Sequence, residues 1–412
     1  MALVSHHPLA QGLQPAQRGL SPRWRAALIA NVERLAHGTL SLQLPDGTTI
    51  EVRGQAGGDA HAALVINRWR AVRRLVFGGE LGFAEAYADG DWSSPDLPAL
   101  LGLALCNEEA LSGLLSGWTA VRLVNRVRHL RRANTKRGSR RNIAAHYDLG
   151  NAFYRRWLDP SMTYSAALFA DGDDDLERAQ ARKYHRLAGL LDLAPGQRLL
   201  EIGCGWGGFA LIAARDYGCH VTALTLSQEQ AAWAREQVRA AGLADRIDIR
   251  LEDYRDVEGS YDRIASIEMF EAVGEAYWPL FFRRVNALLR AGGLAALQVI
   301  TIEGKRFEAY RRSPDFIQTY IFPGGMLPTP SALAYQITAA GLRVSERFAF
   351  GVDYARTLAR WRHHFLEAWP QIQDLGFDER FRRLWDYYLG YCEAGFRAAS
   401  VDVAQYRLVK PV

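Results

Sequence analysis

A glycine-rich segment in the middle of the chain holds the first residues with recognisable chemistry. Residues 203–208 are four glycines interrupted by Cys204 and Trp206, and they lie between a predicted strand and a predicted helix. Glycine lets the backbone turn tightly and approach a ligand closely, and a helix N terminus behind the turn attracts negative groups. The segment therefore predicts a cofactor site, although its spacing also fits the fingerprint of dinucleotide-binding proteins.

Two neighbouring features favour a different cofactor. Glu201 precedes the first glycine by two residues, and a carboxylate there can meet the amino group of a methionine moiety. The next predicted strand ends in Thr225, Leu226 and Ser227, whereas a dinucleotide site requires an acidic residue for the ribose hydroxyl. Together these features predict S-adenosylmethionine as the cofactor and methyl transfer as the chemistry.

The elements that must position this loop are predicted from residue 143 onward, where strands and helices alternate. The predicted strands are 198–202, 220–224, 247–251, 261–267 and 294–301, and the predicted helices are 208–217, 228–241 and 277–289. The last helix is expected to end at the glycines of residues 291–293. This alternation predicts an α/β fold with a doubly wound, mostly parallel sheet, as in class I methyltransferases.

A smaller α+β domain is predicted before it. Residues 38–44 and 49–52 alternate apolar and polar side chains around a turn at 45–48, which is typical of a β-hairpin. From Arg122 to Arg141 the chain holds eight Arg, one Lys and no acidic residue. We expect residues 1–22 to be disordered, 23–120 to form the small domain, 121–142 to be a basic linker and 143–412 to form the methyltransferase domain.

Composition narrows the class of protein further. The net charge is +5, and the four cysteines form no CxxC pair and no cluster with zinc spacing, so no metal site is expected. The N terminus lacks the pattern of a signal peptide, and the longest apolar run, 97–106, is about half of what a spanning helix needs. We expect a cytoplasmic protein that meets a membrane from one side.

Several separate stretches, in the same order, resemble the cyclopropane-fatty-acyl-phospholipid synthase family over nearly the whole chain. Besides the glycine loop they are residues 146–151, 158–165, 224–230, 253–256, 269–274, 320–325, 350–354 and 394–397. The resemblance implies that one carbon is added to the cis double bond of an unsaturated acyl chain in a membrane phospholipid. It also implies that the small N-terminal domain faces the lipid.

The resemblance also implies which residues contact S-adenosylmethionine. These are Tyr164, Ser165, Leu199, Glu201, Gly203, Cys204, Gly205, Trp206, Gly207, Thr225, Leu226, Gln230, Asp253, Tyr254 and Arg255.

Family members resemble one another in using a bound bicarbonate as the base, held by a Cys, a Glu, a His and a Tyr. Glu271 and Tyr354 match two of these ligands. The positions of the Cys and the His are Ala166 and Gln298, and a glutamine donates a hydrogen bond but supplies neither a positive charge nor a proton relay. The base site is therefore altered, which puts bound bicarbonate in doubt.

This alteration leaves two products open. The carbocation formed by methyl transfer closes to a cyclopropane, or it loses a neighbouring proton and a C-methylated, unsaturated chain remains; we favour the second. Aromatic faces stabilise a cation, and we assign that role to Tyr320 and Tyr354. Cys392 matches a family cysteine near the active site but is equally well read as a packed thiol. Glu268 is interpreted as a loop carboxylate.

Other functions stay open at this point. The basic block predicts binding to the anionic headgroups of a phospholipid bilayer, at the inner face of the membrane, but it also suits a methyltransferase acting on RNA. Without a recognised RNA-binding motif, no nucleic acid is expected as a partner. A small-molecule methyltransferase and a catalytically silent lipid-binding protein are further alternatives, and a homodimer is left open.

Overall fold

A computed structural model describes residues 22–115, 135, 138–139, 149–172 and 175–412. Residues 1–21 of the segment predicted to be disordered, and almost all of the basic block, lie outside these residues. Pro22, the last residue of that segment, begins a helix. The division into domains stays a prediction.

Two sheets organise the described chain. The strands are β1 (Thr39–Gln43), β2 (Thr49–Arg53), β3 (His61–Ile66), β4 (Trp92–Ser93), β5 (Arg198–Ile202), β6 (His220–Thr225), β7 (Ile247–Leu251), β8 (Tyr261–Ile267), β9 (Leu289–Ile302), β10 (Arg343–Ala349) and β11 (Val401–Val409). The α-helices of the described residues are α1 (Pro22–Val32), α2 (Arg70–Ala88), α3 (Leu97–Cys106), α4 (Glu108–Leu115), α5 (Asn151–Tyr154), α6 (Leu176–Leu190), α7 (Gly208–Tyr217), α8 (Gln228–Ala240), α9 (Trp278–Leu288), α10 (Gly304–Arg312), α11 (Pro330–Ala339), α12 (Gly351–Glu367), α13 (Trp369–Gln373) and α14 (Glu379–Arg397).

The larger sheet has seven strands in the order β10-β11-β9-β8-β5-β6-β7. Strands β5 to β9 are parallel, and β11 adds antiparallel to β9, so the predicted doubly wound, mostly parallel sheet is confirmed. The chain runs outward from β5 in one direction through β6 and β7, and then returns to place β8 on the other side of β5. Such a switch point leaves a crevice at the carboxyl ends of the strands, where α/β proteins bind ligands.

The smaller sheet has the order β2-β1-β3-β4 and begins with the predicted hairpin. Its turn is fixed locally: Gly47 adopts a φ of 85°, and the Asp46 carboxylate accepts a hydrogen bond from the Thr48 amide at 3.0 Å. Short polar residues and a left-handed glycine are what such a turn needs.

Helices α2 and α3 pack against α14 of the larger unit. At this contact the Tyr87 hydroxyl donates to Asp386 at 2.5 Å, and Arg362 donates to the same carboxylate at 2.6 Å. Arg383 donates to the carbonyl of Trp92 at 2.7 Å. These bonds connect α2 and β4 to α14.

One predicted boundary is wrong. The helix expected over 277–289 ends at Leu288, and the strand begins directly at Leu289 instead of after the glycines. Gly292 and Gly293 exchange backbone hydrogen bonds with Lys410, and the Lys410 ammonium also donates to the Leu289 carbonyl at 2.7 Å. Pairing with the chain at the end of β11 therefore takes the place of the predicted glycine cap.

Candidate active site

A cavity of about 1020 Å³ lies at the carboxyl ends of β5, β6 and β8. Most of the sequence-predicted residues line it, namely Tyr164, Ser165, Glu201, Gly203, Cys204, Gly205, Trp206, Thr225, Leu226, Gln230, Tyr254, Glu271, Tyr354 and Cys392. Six predicted residues do not line it, namely Leu199, Gly207, Asp253, Arg255, Gln298 and Tyr320. The roles assigned to the whole set stay predictions.

The glycine loop brings its backbone to the cavity wall. Gly203, Gly205 and Gly207 have φ values of 85°, 54° and 90°, a region that other residues adopt only with strain. A Cβ on Gly203 would lie 2.5 Å from the side chain of Met269, whereas a Cβ on Gly205 would point into open space. The loop therefore needs glycine at Gly203 for packing and presents Gly205 to a ligand.

Glu201 has an orphaned carboxylate oxygen. The side chain is buried, and its Oε2 has no hydrogen-bond partner among the described residues. Burial raises the pKa of Glu201 to about 8, with partial compensation from Lys183. A buried carboxylate in this condition fits the cationic amino group of S-adenosylmethionine, which would restore its charge and supply the missing donor.

The loop after β6 is held by its own side chains. The Thr225 hydroxyl donates to the Gln230 side-chain oxygen at 2.8 Å, and Ser227 caps α8 by accepting from the Gln230 amide at 3.3 Å. All three residues are buried, and Thr225 and Gln230 face the cavity. They form a wall of fixed hydroxyl and amide groups suited to the polar parts of the cofactor.

Four of the expected cofactor ligands do not line the cavity. Asp253 accepts from the Arg255 guanidinium at 2.8 and 2.6 Å, so the two side chains satisfy each other beside the cavity. Tyr254 between them does line it. Leu199 is fully buried in β5, and an added Cβ on Gly207 would lie 3.2 Å from Ala234.

Glu268 is at the centre of the altered base site. Its Oε1 accepts hydrogen bonds from the Ala166 amide at 2.8 Å and from Gln298 Nε2 at 2.7 Å. Its Oε2 accepts from the Tyr354 hydroxyl at 2.6 Å. The carboxylate therefore contacts residues at three of the four positions that the family resemblance assigned to bicarbonate ligands.

A second glutamine, Gln405, holds the side chain of Gln298 in its orientation. Gln298 on β9 and Gln405 on β11 are register partners, and Gln405 Nε2 donates to Gln298 Oε1 at 3.0 Å. Arg186 in turn donates to Gln405 Oε1 at 2.9 Å. Because the oxygen of Gln298 is engaged on one side, its amide group is directed towards Glu268 on the other.

Glu271 occupies the fourth of the positions that the family resemblance assigned to bicarbonate ligands. Its Oε1 accepts from the Ile300 amide at 2.5 Å, and its Oε2 is buried with no partner among the described residues. Burial, and next the neighbouring charge of Glu268, raise the pKa of Glu271 to about 8. A pKa near 8 favours the protonated form of Glu271 at neutral pH.

Lys183 lies near the carboxylates of Glu268, Asp159 and Glu201. Its side chain is fully buried, and its Nζ donates to the Ser165 hydroxyl at 2.6 Å. Burial lowers the pKa of Lys183 to about 7, although nearby Glu268 and other carboxylates oppose the shift. In its protonated form, Lys183 balances negative charge on this side of the cavity.

Tyr320 and Cys392 differ from the expectation in different ways. The Tyr320 hydroxyl contacts the carboxylate of Glu85 on α2, outside the cavity lining, so Tyr354 is the better placed of the two predicted cation-stabilising rings. Cys392 lines the cavity, but burial raises the pKa of its thiol far above the usual value. A thiol that stays protonated suits a packed wall better than a nucleophile.

The fold and this cavity define a class I S-adenosylmethionine-dependent methyltransferase. The chain belongs to the mycolic acid cyclopropane synthetase family, whose model matches residues 134–406. It is 39% identical over 397 residues to the tuberculostearic acid methyltransferase UfaA1 of Mycobacterium tuberculosis, covering 93% of this chain and 92% of that protein.

Two further relatives support this family membership. The cyclopropane-fatty-acyl-phospholipid synthase of Escherichia coli K12 is 37% identical over 350 residues, which are 84% of this chain and 88% of the relative. The crystal structure of the mycolic acid cyclopropane synthase CmaA1 complexed with SAH and CTAB matches with a TM-score of 0.62 at 32% identity, covering 66% of this chain and 98% of the other. S-Adenosylmethionine is accordingly the methyl donor.

The contacts of Glu268 and the buried position of Lys183 were not predicted from the sequence. A signal for Glu268 was present, because the two departures at Ala166 and Gln298 coincide with an additional carboxylate three residues before Glu271. No sequence feature distinguishes Lys183 from the other residues of an amphipathic helix. Among the described residues, no helix is long and apolar enough to cross a membrane.

Proposed function

We propose that this enzyme methylates the cis double bond of an unsaturated acyl chain in a membrane phospholipid, and that its product is a methyl-branched chain that keeps a double bond. When bound, S-adenosylmethionine supplies an electrophilic methyl group. The chain's own residues hold the alkene in line with it, exclude water and remove a proton afterwards.

One observation carries the choice of product. The Glu268 carboxylate fills the position between Ala166, Gln298 and Tyr354 where the family resemblance would place bicarbonate. A base site that is rebuilt in this way, with Gln298 in place of a histidine, supports proton removal at a different carbon from the one that closes a ring. The relative that matches over 93% of the chain is named a tuberculostearic acid methyltransferase, which agrees with this choice.

The walls of the cavity support an acyl chain as the substrate. Beyond the cofactor side, the cavity continues between α2, α3 and α14, where apolar side chains line it, namely Phe77, Leu81, Leu105, Ile317 and Tyr391. Apolar walls in the same cavity as a polar cofactor site suit a hydrocarbon chain with its double bond near the methyl donor. The small N-terminal unit thus contributes part of the proposed acyl site.

The membrane is the proposed source of this substrate. The acid-free basic block from Arg122 to Arg141, which lies almost wholly outside the described residues, supports binding to anionic headgroups at the inner face of the membrane. A homodimer is a further proposal, and sedimentation analysis of the purified protein tests it.

The substrate and product are tested with defined vesicles. The enzyme is incubated with S-adenosylmethionine labelled in its methyl group and with phospholipid vesicles whose acyl chains carry one cis double bond. We expect label in the acyl chains, and none with matched vesicles of saturated chains. Mild catalytic hydrogenation of the released product should then add two hydrogens, since it reduces alkenes and spares cyclopropanes. Label in saturated chains, or a product that resists hydrogenation, contradicts the proposal.

A further inference from the structure

The partly buried carboxylate of Glu268 has the position and the contacts of a reacting group. It lines the same cavity as the glycine loop and Tyr354. It follows Ile267, the last residue of β8, and its own amide donates to the Gln298 carbonyl at 2.8 Å. Both its backbone and its side chain are therefore tied to the sheet, and the carboxylate has little freedom to move.

Its hydrogen bonds leave room for one more. An ionised carboxylate has about four lone-pair positions, and three donors from Ala166, Gln298 and Tyr354 occupy three of them. The remaining position is on Oε2, the oxygen that also accepts from Tyr354. A carboxylate held by three donors and open at one position is arranged to accept a proton from a bound molecule.

The backbone conformation of Glu268 also supports a functional role for this residue. Glu268 adopts a φ of 48°, in the left-handed region that side chains other than glycine rarely occupy. Strain of this kind persists where surrounding structure enforces it, and it is concentrated at active sites. The sequence holds a carboxylate at a position where glycine would be the relaxed choice.

We propose that Glu268 is the general base of the reaction, a built-in carboxylate that takes the place of bound bicarbonate. The inference rests on the proposed function, because it assigns the proton acceptor of that same reaction. Gln298 acts as a positioning residue that orients the base, and Gln405 and Arg186 hold Gln298 in turn.

The step balances in atoms and electrons. Methyl transfer breaks the sulfur–carbon bond of the donor and joins the methyl group to one alkene carbon, which leaves a carbocation on the other. The Glu268 carboxylate then takes a proton from a carbon bonded to the cationic centre. The electrons of that C–H bond form the new double bond, and Glu268 becomes a neutral carboxylic acid that later returns its proton to solvent.

The substitution Glu268→Gly tests this assignment without straining the fold. Glycine adopts the required positive φ freely, and its lack of a side chain leaves the three donors facing a space that a small anion can enter. In bicarbonate-free buffer we expect kcat to fall by about 100-fold or more, since a positioned base contributes that much. Added bicarbonate or formate should restore a substantial part of it, while the affinity for S-adenosylmethionine stays within about twofold.

A matched control separates the base from the backbone. Asp192 also combines a positive φ of 46° with a carboxylate, but it is exposed and outside the cavity lining. Asp192→Gly should therefore keep the parent kcat and show no response to added anions. Formation of S-adenosylhomocysteine is the readout for both variants, so the result is independent of which product forms. Parental turnover of Glu268→Gly without added anion overturns the assignment, and so does a slow variant that no small anion restores.

Discussion

Gln405 donates from its Nε2 to the side-chain oxygen of Gln298 at 3.0 Å, across the antiparallel pair of β11 and β9. This contact decides which end of the Gln298 amide faces Glu268. Only the nitrogen end can donate to a carboxylate, so a residue that never touches the cavity sets the electrostatics of the proposed base.

The substitution Gln405→Glu tests this relationship. The new carboxylate pairs with Arg186, which keeps the site folded, but it requires a donor from Gln298 and therefore rotates that amide. The Gln298 oxygen then faces Glu268 and raises its pKa further. We expect kcat to fall about tenfold and the rising limb of its pH profile to move to higher pH, because Glu268 must be ionised to act.

The pH profile and the cofactor affinity distinguish this result from a structural defect. Burial already raises the pKa of Glu268 above its usual range, so the limb of the parent enzyme lies above that of an exposed glutamate. An unmoved limb in Gln405→Glu, together with unchanged affinity for S-adenosylmethionine, contradicts the positioning role of Gln405.

Substitutions should convert the base site into one that binds bicarbonate and forms a cyclopropane. The triple variant Glu268→Gly with Ala166→Cys and Gln298→His vacates the carboxylate position and restores the two ligands that the family resemblance assigns to bicarbonate. With bicarbonate present, we expect a measurable share of cyclopropane product. The double variant Ala166→Cys with Gln298→His keeps Glu268 in place and should form little or none. Equal ring formation by both variants, measured by proton NMR, argues that Glu268 does not control the product.

Gly78 offers a test of the acyl site. This residue of α2 lines the cavity, and an added Cβ there would meet no atom within 4 Å. Gly78→Leu should therefore fold normally but obstruct the chain, lowering turnover of long-chain phospholipids by about tenfold or more, because small misplacements of a reacting group are costly. The affinity for S-adenosylmethionine should not change.

Gly102 on α3 provides the matched control. Its added Cβ also meets open space, but the residue does not line the cavity. Gly102→Leu should therefore turn over the same phospholipids at the parent rate. Equal rates for the two leucine variants place the acyl chain away from α2.

The basic block tests the membrane proposal. Each Arg near an anionic surface contributes about 1 kcal/mol, which salt screens. Replacing Arg131, Arg132, Arg140 and Arg141 with Gln should weaken cosedimentation with anionic vesicles and reduce its salt dependence. Neutral vesicles are the control, since the parent and the variant should bind them equally. Unchanged binding to anionic vesicles contradicts the role of this segment.

The sequence was sufficient for the parts of the site that depend on local pattern. The loop at residues 203–208 and Glu201 before it are each defined within a few residues, by glycine freedom and charge. The hairpin around Gly47 was predictable for the same reason. The parallel sheet followed from the alternation of strands and helices.

Long-range pairing decided what the sequence did not show. The role of Glu268 depends on three residues that are 102, 30 and 86 positions away and that meet it only through the folded sheet and α12. The strand that begins at Leu289 likewise depends on Lys410, more than a hundred residues later. Neither relationship leaves a periodic or local signal.

The most direct measurement is the proton NMR spectrum of the phospholipid that the parent enzyme produces from a cis-monounsaturated substrate. A branched alkene and a cyclopropane with the same number of carbons have equal mass, but a cis-cyclopropane gives a methylene signal upfield of ordinary aliphatic protons. With Glu268 in the base position, we predict a methyl-branched, unsaturated product without that upfield signal. A product that consists only of cyclopropane would contradict the account.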